Sequence, residues 1–416
     1  MALLILALVS TRIFLLPLMT VNGERLICSF ALQKIMSNFE THDITVRSAE
    51  FTDRSAWNEY VAQHTNATAY HWFEWMEAVE IAYQHQPKPL IAFKASPKGA
   101  QVCGILPSVL MQSPGLGRRL CSLPFCDIGG PLADNYDVER QLIEAASNML
   151  VTTESKGIEL RTGAAETLDE DAITYYLADP ETRPAPKVQM LLELPENSEI
   201  LWKNFKSKLR SQIRKAEKNG LSCRSACDGS LIGDFYKVLS RNMRDLGSPV
   251  HSVRLYEALQ EKYQDRARIH IVYSDSTPIA GGFVIRHPSR ISIPWASTIA
   301  EFNHLSPNMM LYWDVIETNF DSNQALFDFG RSTLGEGTYR FKKQWGAKPY
   351  MLQWQSLKDE ADHMKVRSQN DRRYIPQEPS KGISSFAKTA VLNTWKRLPV
   401  PLATAIGPLF RKHISL

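Results

Sequence analysis

The same order of strand and helix signals occurs twice along the chain, and this repeat restricts the possible fold more than any other feature. In each half, apolar strands joined by a tight turn precede a helix and one further strand. The predicted strands lie at 89–95, 101–111 and 158–161 in the first half and at 268–274, 279–286, 291–297 and 325–329 in the second. The predicted helices lie at 138–154 and 307–319. We therefore expect a duplicated α/β (α+β) fold with mixed sheets flanked by helices.

Composition and proline content divide the 416 residues into four predicted parts. Hydrophobic residues make up 44% of the chain and charged residues 22%, which indicates folded domains with large cores. Four prolines between Pro180 and Pro195 mark a linker between two domains. The parts are an N-terminal extension at 1–43, a first domain at 44–187, a second domain at 188–357 and a basic, partly amphipathic tail at 358–416.

The C-terminal tail combines a polar stretch with an apolar and basic end. Residues 358–380 are polar and charged, which predicts irregular structure. Residues 381–416 alternate apolar with basic side chains, and three prolines in this segment predict that it forms several short helices. A segment of this kind either lies on a membrane interface or packs on the protein body.

The first 21 residues are almost wholly apolar, but Arg12 and Pro17 interrupt them. They lack a basic n-region and a small-x-small cleavage site, and an arginine in mid-span is costly in a bilayer. We expect translation to start at Met36, with a signal or anchor and a structured extension as the alternatives. No later segment is apolar over about 18 residues, so no further spanning helix is expected.

Cysteine spacing and missing motifs exclude several classes of function. Six cysteines in a chain of this length do not make a disulfide scaffold, and neither Cys121–Cys126 nor Cys223–Cys227 is a Cys-x-x-Cys pair. We expect buried free thiols in a cytoplasmic protein and no metal site, with zinc as the alternative. A net charge of +4 does not indicate a nucleic-acid partner. The sequence contains no nucleophile elbow, no His-x-x-x-His and no complete phosphate P-loop.

Residues 325–346 combine an apolar strand, a glycine-rich turn and a cluster of aromatic and basic side chains. Glycines let backbone amides approach an anion closely, and the cations behind them would hold it. The pattern Arg331-x-x-x-Gly335-x-Gly337, with Arg340 following, therefore predicts a binding site for a phosphate-bearing donor. The alternative is a strand, a turn and a basic surface hairpin.

Two further groups are predicted to contact substrate. A basic helix at 202–219 carries Arg210 and Arg214 four residues apart on one face, where paired guanidiniums match phosphate oxygens. A solvated basic face is the alternative. Asp127 lies in a turn-rich loop and is predicted either to cap that turn or to meet a substrate amine or hydroxyl.

Four separated motifs resemble FemAB-related proteins, most closely the branch associated with exosortase and exopolysaccharide systems. The motifs are Ile105-Leu-Pro, Ser122-Leu-Pro-Phe with Gly129-Gly-Pro, Leu209-Arg-Ser-Gln-Ile-Arg-Lys-Ala-Glu-Lys, and Phe327-Asp-Phe-Gly-Arg-Ser with Gly337-Thr-Tyr-Arg-Phe-Lys-Lys-Gln-Trp-Gly. The resemblance implies two tandem GNAT-like domains and an N-acyltransferase that uses acyl-CoA. Lys342 resembles the family lysine that contacts the donor near the reacting bond, and we place Asp328 and Tyr339 in the same catalytic group.

The resemblance also implies the partners. The acceptor is expected to be an amino group on a small-molecule or lipid-linked glycan precursor of the cell envelope or an exopolysaccharide. The enzyme is then expected in the cytoplasm, at or near the inner face of the membrane. A Fem-type aminoacyl-tRNA donor, which would make nucleic acid a partner, and a non-catalytic glycan-binding relative are the alternatives. The sequence lacks the long helical arm of some Fem enzymes, which disfavours the tRNA donor.

Overall fold

The computed structural model describes residues 8–9, 12–13, 44–97, 99–113, 115, 117–179, 184–320, 325–357 and 392–415. The chain forms two units, Met1–Asp43 and Ile44–Leu416. In the first unit, strands β1 (Leu8–Val9) and β2 (Arg12–Ile13) pair in antiparallel orientation. The proposed start at Met36 and the polar stretch at 358–380 lie outside the described residues.

The second unit holds the remaining strands and helices. Its strands are β3 (Ile44–Ser48), β4 (Gln86–Pro87), β5 (Leu90–Ser96), β6 (Gly99–Leu106), β7 (Val109–Ser113), β8 (Gly117–Cys121), β9 (Leu132–Ala133), β10 (Ser155–Thr167), β11 (Lys187–Glu193), β12 (Leu221–Ala226), β13 (Ala267–Ser274), β14 (Thr277–His287), β15 (Arg290–Thr298), β16 (Leu326–Thr333) and β17 (Lys348–Leu357). Its α-helices are α1 (Arg54–Gln63), α2 (Phe73–Tyr83), α3 (Tyr136–Thr152), α4 (Glu170–Ala178), α5 (Ser198–Asn204), α6 (Ser207–Lys218), α7 (Ile232–Leu246), α8 (Val253–Tyr263), α9 (Pro307–Thr318), α10 (Gly337–Gln344) and α11 (Val400–Arg411).

The described strands of this unit form one large mixed sheet and one small antiparallel sheet. The large sheet has the order β12-β13-β14-β15-β16-β11-β17-β10-β8-β7-β4, and the small sheet has the order β3-β5-β6-β9. Most neighbours are antiparallel, but β15–β16 and β8–β10 are parallel. The predicted α/β class with mixed sheets is confirmed. β17 pairs with β10 of the first predicted domain and with β11 of the second, so one sheet runs through both.

A shared core joins the two halves. Trp75 of α2 stacks on Trp295 of β15, with ring centroids 5.8 Å apart and planes 5° from parallel. Next to them, the buried carboxylate of Glu74 accepts hydrogen bonds from Arg54 at 3.1 Å and from Arg266 at 2.6 Å. Because Arg266 comes from the second half, this ion pair and the aromatic stack hold the halves in one arrangement.

The prediction of one continuous basic helix at 202–219 is wrong. The chain forms α5 and α6, separated at Phe205 and Lys206. Phe205 adopts an extended conformation and is buried against Trp345 at a centroid distance of 5.5 Å. Burial of this ring outweighs the one backbone hydrogen bond that a continuous helix would add there.

The described part of the tail packs on the body. α11 lies against α7, and the Phe125 N–H donates to the Ser415 carbonyl at 2.6 Å. His85 Nε2 donates to the Lys412 carbonyl at 2.7 Å. The prediction that each proline separates two short helices is wrong for Pro408, which lies inside α11. In the described part of the chain, no helix combines the length and the apolar character needed to cross a membrane.

Candidate functional site

The site begins with a bulge in β16. In the pairing of β11 with β16, Gln189 faces Arg331 and Leu191 faces Asp328. The register therefore shifts between these two pairs. One residue of β11 therefore opposes two of β16, and the second of these, Gly330, has a φ of +72°. Glycine adopts this left-handed conformation without steric cost. The bulge turns the carbonyls of Gly330 and Arg331 toward helix α10.

Lys342 of α10 occupies the position in front of these carbonyls. Its Nζ donates to the Gly330 oxygen at 3.0 Å and to the Arg331 oxygen at 2.7 Å. The side chain is buried, with 7% of the residue exposed. Burial lowers the pKa of Lys342 to about 8, although Asp127 and Asp328 act to raise it. The amine therefore changes its charge close to neutral pH.

Asp328 lies on the same bulged strand and is almost completely buried. Its Oδ1 accepts from the Gly330 N–H at 2.8 Å, and its Oδ2 accepts from Gln189 Nε2 at 2.6 Å. Burial raises the pKa of Asp328, while the nearby Arg290 guanidinium acts to lower it. The carboxylate thus fixes both the bulge and the Gln189 side chain.

Asp127 reaches the bulge from the first half of the chain. Its Oδ2 accepts from the Arg331 N–H at 3.2 Å, and its Oδ1 lies 3.5 Å from Arg331 Nε. Its carbonyl accepts from Trp354 Nε1 at 2.9 Å. The guanidiniums of Arg331 and Arg161 lie 5.1 and 5.4 Å from the Trp354 ring, within the range of cation–π contacts. The predicted residues Asp127, Asp328, Arg331 and Lys342 therefore form one cluster, in which Asp328 and Lys342 are buried and Asp127 and Arg331 are half-buried.

A cleft of about 770 Å³ adjoins this cluster. Gln189 lines the cleft and also binds Asp328, so it connects the two. Most of the polar side chains in the cleft carry neutral amide or hydroxyl groups. They are Thr65, Asn66, Thr68, Asn135, Tyr136, Thr162, Gln189, Tyr350, Gln353 and Gln355.

Two charged side chains line the same cleft. Arg290 has 9% of its surface exposed, and its Nε has no hydrogen-bond partner among the described residues. Glu139 of α3 faces the cleft, and burial raises the pKa of its carboxyl group. The cleft thus offers a cation and a basic carboxylate within a neutral polar lining.

The remaining predicted residues lie outside the cluster. Gly335 has a φ of +81° and faces Leu177, and Gly337 begins α10. Arg340 is exposed on α10, and Tyr339 is buried with no hydrogen-bond partner for its hydroxyl among the described residues. The glycine-rich turn therefore precedes a helix, and the alternative of a surface hairpin is wrong. None of the four lines the cleft.

Arg210 and Arg214 of α6 both contact Trp202. Arg210 Nη1 donates to the carbonyls of Trp202 and Lys203, at 3.5 and 3.1 Å, where α5 ends. The Arg214 guanidinium lies 5.5 Å from the Trp202 ring. Arg210 is therefore partly engaged in capping α5, and neither residue lines the cleft.

One group of side chains has the chemistry of a metal site. Single ligand atoms of Cys223, His270 and Asp314 lie within 4.8 Å of one another. His270 Nδ1 is 2.6 Å from Asp314 Oδ2, and burial raises the pKa of the Cys223 thiol. Arg268 adds a positive charge that acts on both His270 and Asp314. Because this charge opposes a divalent cation, and because burial lowers the pKa of His270, we interpret the group as a structural hydrogen bond between this histidine and Asp314.

Sequence reasoning missed Gln189, Arg290, Glu139 and Trp354. For Gln189 the sequence contains a signal, because this polar side chain lies inside the apolar run Val188-Gln-Met-Leu-Leu. Arg290 follows a turn and Glu139 lies on a predicted helix, where charged residues are ordinary. Their common location depends on the pairing of strands far apart in sequence.

Comparison with known proteins agrees with this geometry. Residues 203–343 match the sequence family described as an acetyltransferase (GNAT) domain. This part of the chain is similar to a GNAT acetyltransferase domain. The matched region contains the bulged strand, Asp328, Arg331 and Lys342. No curated protein matches the sequence.

The matched region lies within a larger fold that is similar to a solved structure. The crystal structure of FemX matches with a TM-score of 0.56 and 13% sequence identity, over 75% of this chain and 96% of FemX. A tandem GNAT protein from the clavulanic acid biosynthesis pathway matches with a TM-score of 0.45 and 10% identity, over 76% of this chain and 98% of that protein. The fold of this chain is therefore similar to that of FemX.

Proposed function

We propose that this protein is an N-acyltransferase of GNAT type. It would transfer an acyl group from acyl-CoA to an amino group on a glycan-containing precursor of the cell envelope or of an exopolysaccharide, at the inner face of the cytoplasmic membrane. The observation that carries this proposal is the contact between the strand bulge, which lies in the region similar to GNAT domains, and the cleft. A buried lysine with a pKa of about 8 lies at the strand bulge, and Gln189 and Asp328 connect that bulge to a large polar cleft.

The donor side of the proposal rests on the parallel strands β15 and β16. They pair only through Arg290–Ser292 and Leu326–Asp328, and the ladder then ends. Beyond that point, the facing edges of the two strands do not pair with each other. A coenzyme A arm carries two amide groups, which suit such backbone edges. The turn from Arg331 to Gly337, together with Arg340, would take its phosphates.

The chemical step needs no covalent enzyme intermediate. The acceptor amine attacks the thioester carbonyl, so that the N–C bond forms, the C–S bond breaks, and the coenzyme leaves as its thiol after taking up a proton. An ammonium group has three N–H donors, and Lys342 uses two of them on the Gly330 and Arg331 carbonyls. The third would stabilise the negative charge that develops on the donor carbonyl oxygen.

The acceptor side of the proposal rests on the lining of the cleft. Amide and hydroxyl side chains hydrogen-bond to sugar hydroxyls and to N-acyl groups without requiring a charged partner. Glu139 would accept the proton that the attacking amine loses, because its raised pKa makes it a stronger base than an exposed carboxylate. Arg290 would bind an acidic group on the same acceptor.

Donor binding tests the proposal directly. The protein would be titrated calorimetrically with coenzyme A and, separately, with an aminoacyl-tRNA. Saturable binding of coenzyme A that Arg331→Gln weakens is the expected result, with Arg118→Gln in the exposed β7–β8 hairpin as the control. Binding of aminoacyl-tRNA alone would support the Fem-type reaction instead. Binding of neither, with a glycan still bound, would indicate the non-catalytic alternative.

A further inference from the structure

Helix α11 is apolar on the side that faces away from the protein as well as on the side that packs. Its inner side holds the buried Ala403 and Gly407, and a Cβ at Gly407 would lie 3.0 Å from the Val250 nitrogen. The helix therefore approaches the backbone of the body closely. Its outer side carries Leu402, Leu409 and Phe410, which are 47%, 61% and 56% exposed. We call these three residues the outer apolar face.

This arrangement departs from that of an ordinary surface helix. Such a helix presents polar and charged side chains to water. In α11 the only side chains with polar groups are Thr404 and Arg411, and both are partly buried. The Arg411 guanidinium lies 5.9 Å from the Phe125 ring of the body, and its Nε is buried. No polar side chain therefore covers the outer apolar face from within α11.

The segment before α11 extends the same surface. Trp395 packs edge-on against Phe410, with ring centroids 5.9 Å apart. Leu392 and Ile414, which lie before and after the helix, are also largely exposed. Trp395 therefore extends the outer apolar face into a patch of adjacent residues. Such patches mark interaction sites, whereas apolar side chains that are exposed singly are ordinary.

The aspartate, glutamate, lysine and arginine residues of the tail around this surface are all of one sign. Between residues 392 and 415 the sequence contains no aspartate or glutamate, and it contains Lys396, Arg397, Arg411 and Lys412. Lys396 and Arg397 are exposed. The adjacent acid on α7, Asp245, already forms ion pairs with Arg241 and Arg244 at 3.2 and 2.9 Å. The surface is thus apolar with a positively charged border.

We propose that the outer apolar face docks the protein on an anionic lipid bilayer. Leu402, Leu409 and Phe410 would enter the boundary between headgroups and acyl chains, while Lys396 and Arg397 would bind lipid phosphates. A second copy of the chain fits this surface less well. A two-fold interface would bring the same uncompensated cations of two protomers together.

Vesicle co-sedimentation tests the proposal. The full chain would be mixed with vesicles of phosphatidylcholine, with or without phosphatidylglycerol. We expect binding to the anionic vesicles only, and weaker binding at high salt because the cationic border is then screened. The double variant Leu409→Gln/Phe410→Gln should lower the partition coefficient by about tenfold or more, because two apolar side chains leave the interface. Lys396→Gln/Arg397→Gln should abolish the salt dependence.

Val151→Gln is the matched control, because Val151 is an 82% exposed apolar residue on α3. It should bind as the wild type does. Equal binding of wild type and Leu409→Gln/Phe410→Gln, or no binding at all, would overturn the proposal. Light scattering adds a further outcome. A wild-type dimer that dissociates in this double variant would show that a second copy of the chain, and not a bilayer, covers the outer apolar face. Acyl transfer to a water-soluble acceptor should be unchanged in these variants, so the docking proposal and the proposed activity fail separately.

Discussion

Gln189 donates a hydrogen bond to Asp328 across 2.6 Å, and this contact joins the open cleft to the cluster around Lys342. The donor comes from β11 and the acceptor from β16, which are far apart in sequence and adjacent in the sheet. Asp328 also accepts from the Gly330 N–H. One carboxylate therefore contacts both the cleft-lining Gln189 and the bulge that holds Lys342.

Asp328→Ala should lower both stability and activity. The variant leaves the Gly330 N–H and the Gln189 amide without their acceptor inside the protein. Each buried unsatisfied group costs about 1–3 kcal/mol. Urea denaturation should show this loss in the free energy of unfolding. Asp328→Asn keeps the shape and should unfold at an intermediate denaturant concentration. A variant as stable as the wild type would contradict the account of the bulge.

Gly330→Ala should lower activity through backbone strain. A Cβ at this position meets no atom closer than 3.8 Å, so crowding is not the cause. The φ of +72° costs a non-glycine residue about 1–2 kcal/mol, and relief of that strain would move the carbonyl that holds Lys342. Gly115→Ala is the control, because Gly115 has a φ of +76° in the β7–β8 turn with open space around it. Both variants should lose similar stability, and only Gly330→Ala should lose turnover.

The pH dependence of stability should reflect the buried lysine. Burial lowers the pKa of Lys342 from 10.5 to about 8. Between these two values the unfolded chain binds more protons than the folded chain, so the free energy of unfolding rises with pH in that window. Lys342→Met should remove this rise, whereas Lys343→Met, at the exposed neighbour, should keep it. Denaturant titrations at several alkaline pH values measure the difference.

The cleft arginine should affect acceptor binding more than folding. Arg290 Nε has no hydrogen-bond partner among the described residues, so Arg290→Gln removes no hydrogen bond at that atom, although it removes the charge that acts on Asp328. We expect the KM for the acceptor to rise about tenfold or more, as the loss of a charge-assisted hydrogen bond would produce. Arg290→Lys should recover part of the affinity. An unchanged KM would mean that the acceptor does not use this side of the cleft.

The sequence predicted those features that depend on local pattern. The helix expected at 138–154 is observed as Tyr136–Thr152, and the strand expected at 325–329 is observed as Leu326–Thr333. The helix has apolar residues at helical spacing, and the strand begins with an apolar run. The sequence predicts Asp328, Arg331 and Lys342 as site residues because all three lie in the segment 325–346, which also contains the bulge.

Features that depend on tertiary packing were missed. Residues 202–219 have the composition of one basic helix, but Phe205 leaves the helix to pack on Trp345. The cleft was not foreseen because it forms only when β11 lies between β16 and β17. No local pattern in the sequence predicts that insertion. The sequence therefore does not predict that Gln189 and Arg290 line one cleft.

Release of free thiol tests whether Lys342 assists acyl transfer from a coenzyme A thioester. A panel of acyl-CoA donors would be incubated with an amino-sugar acceptor and with the wild type, Lys342→Ala or Lys343→Ala, after thermal melts confirm that each is folded. We predict acceptor-dependent thiol release that Lys342→Ala lowers about a hundredfold or more, while Lys343→Ala stays near the wild-type rate. Equal rates for folded Lys342→Ala and wild type would contradict the account.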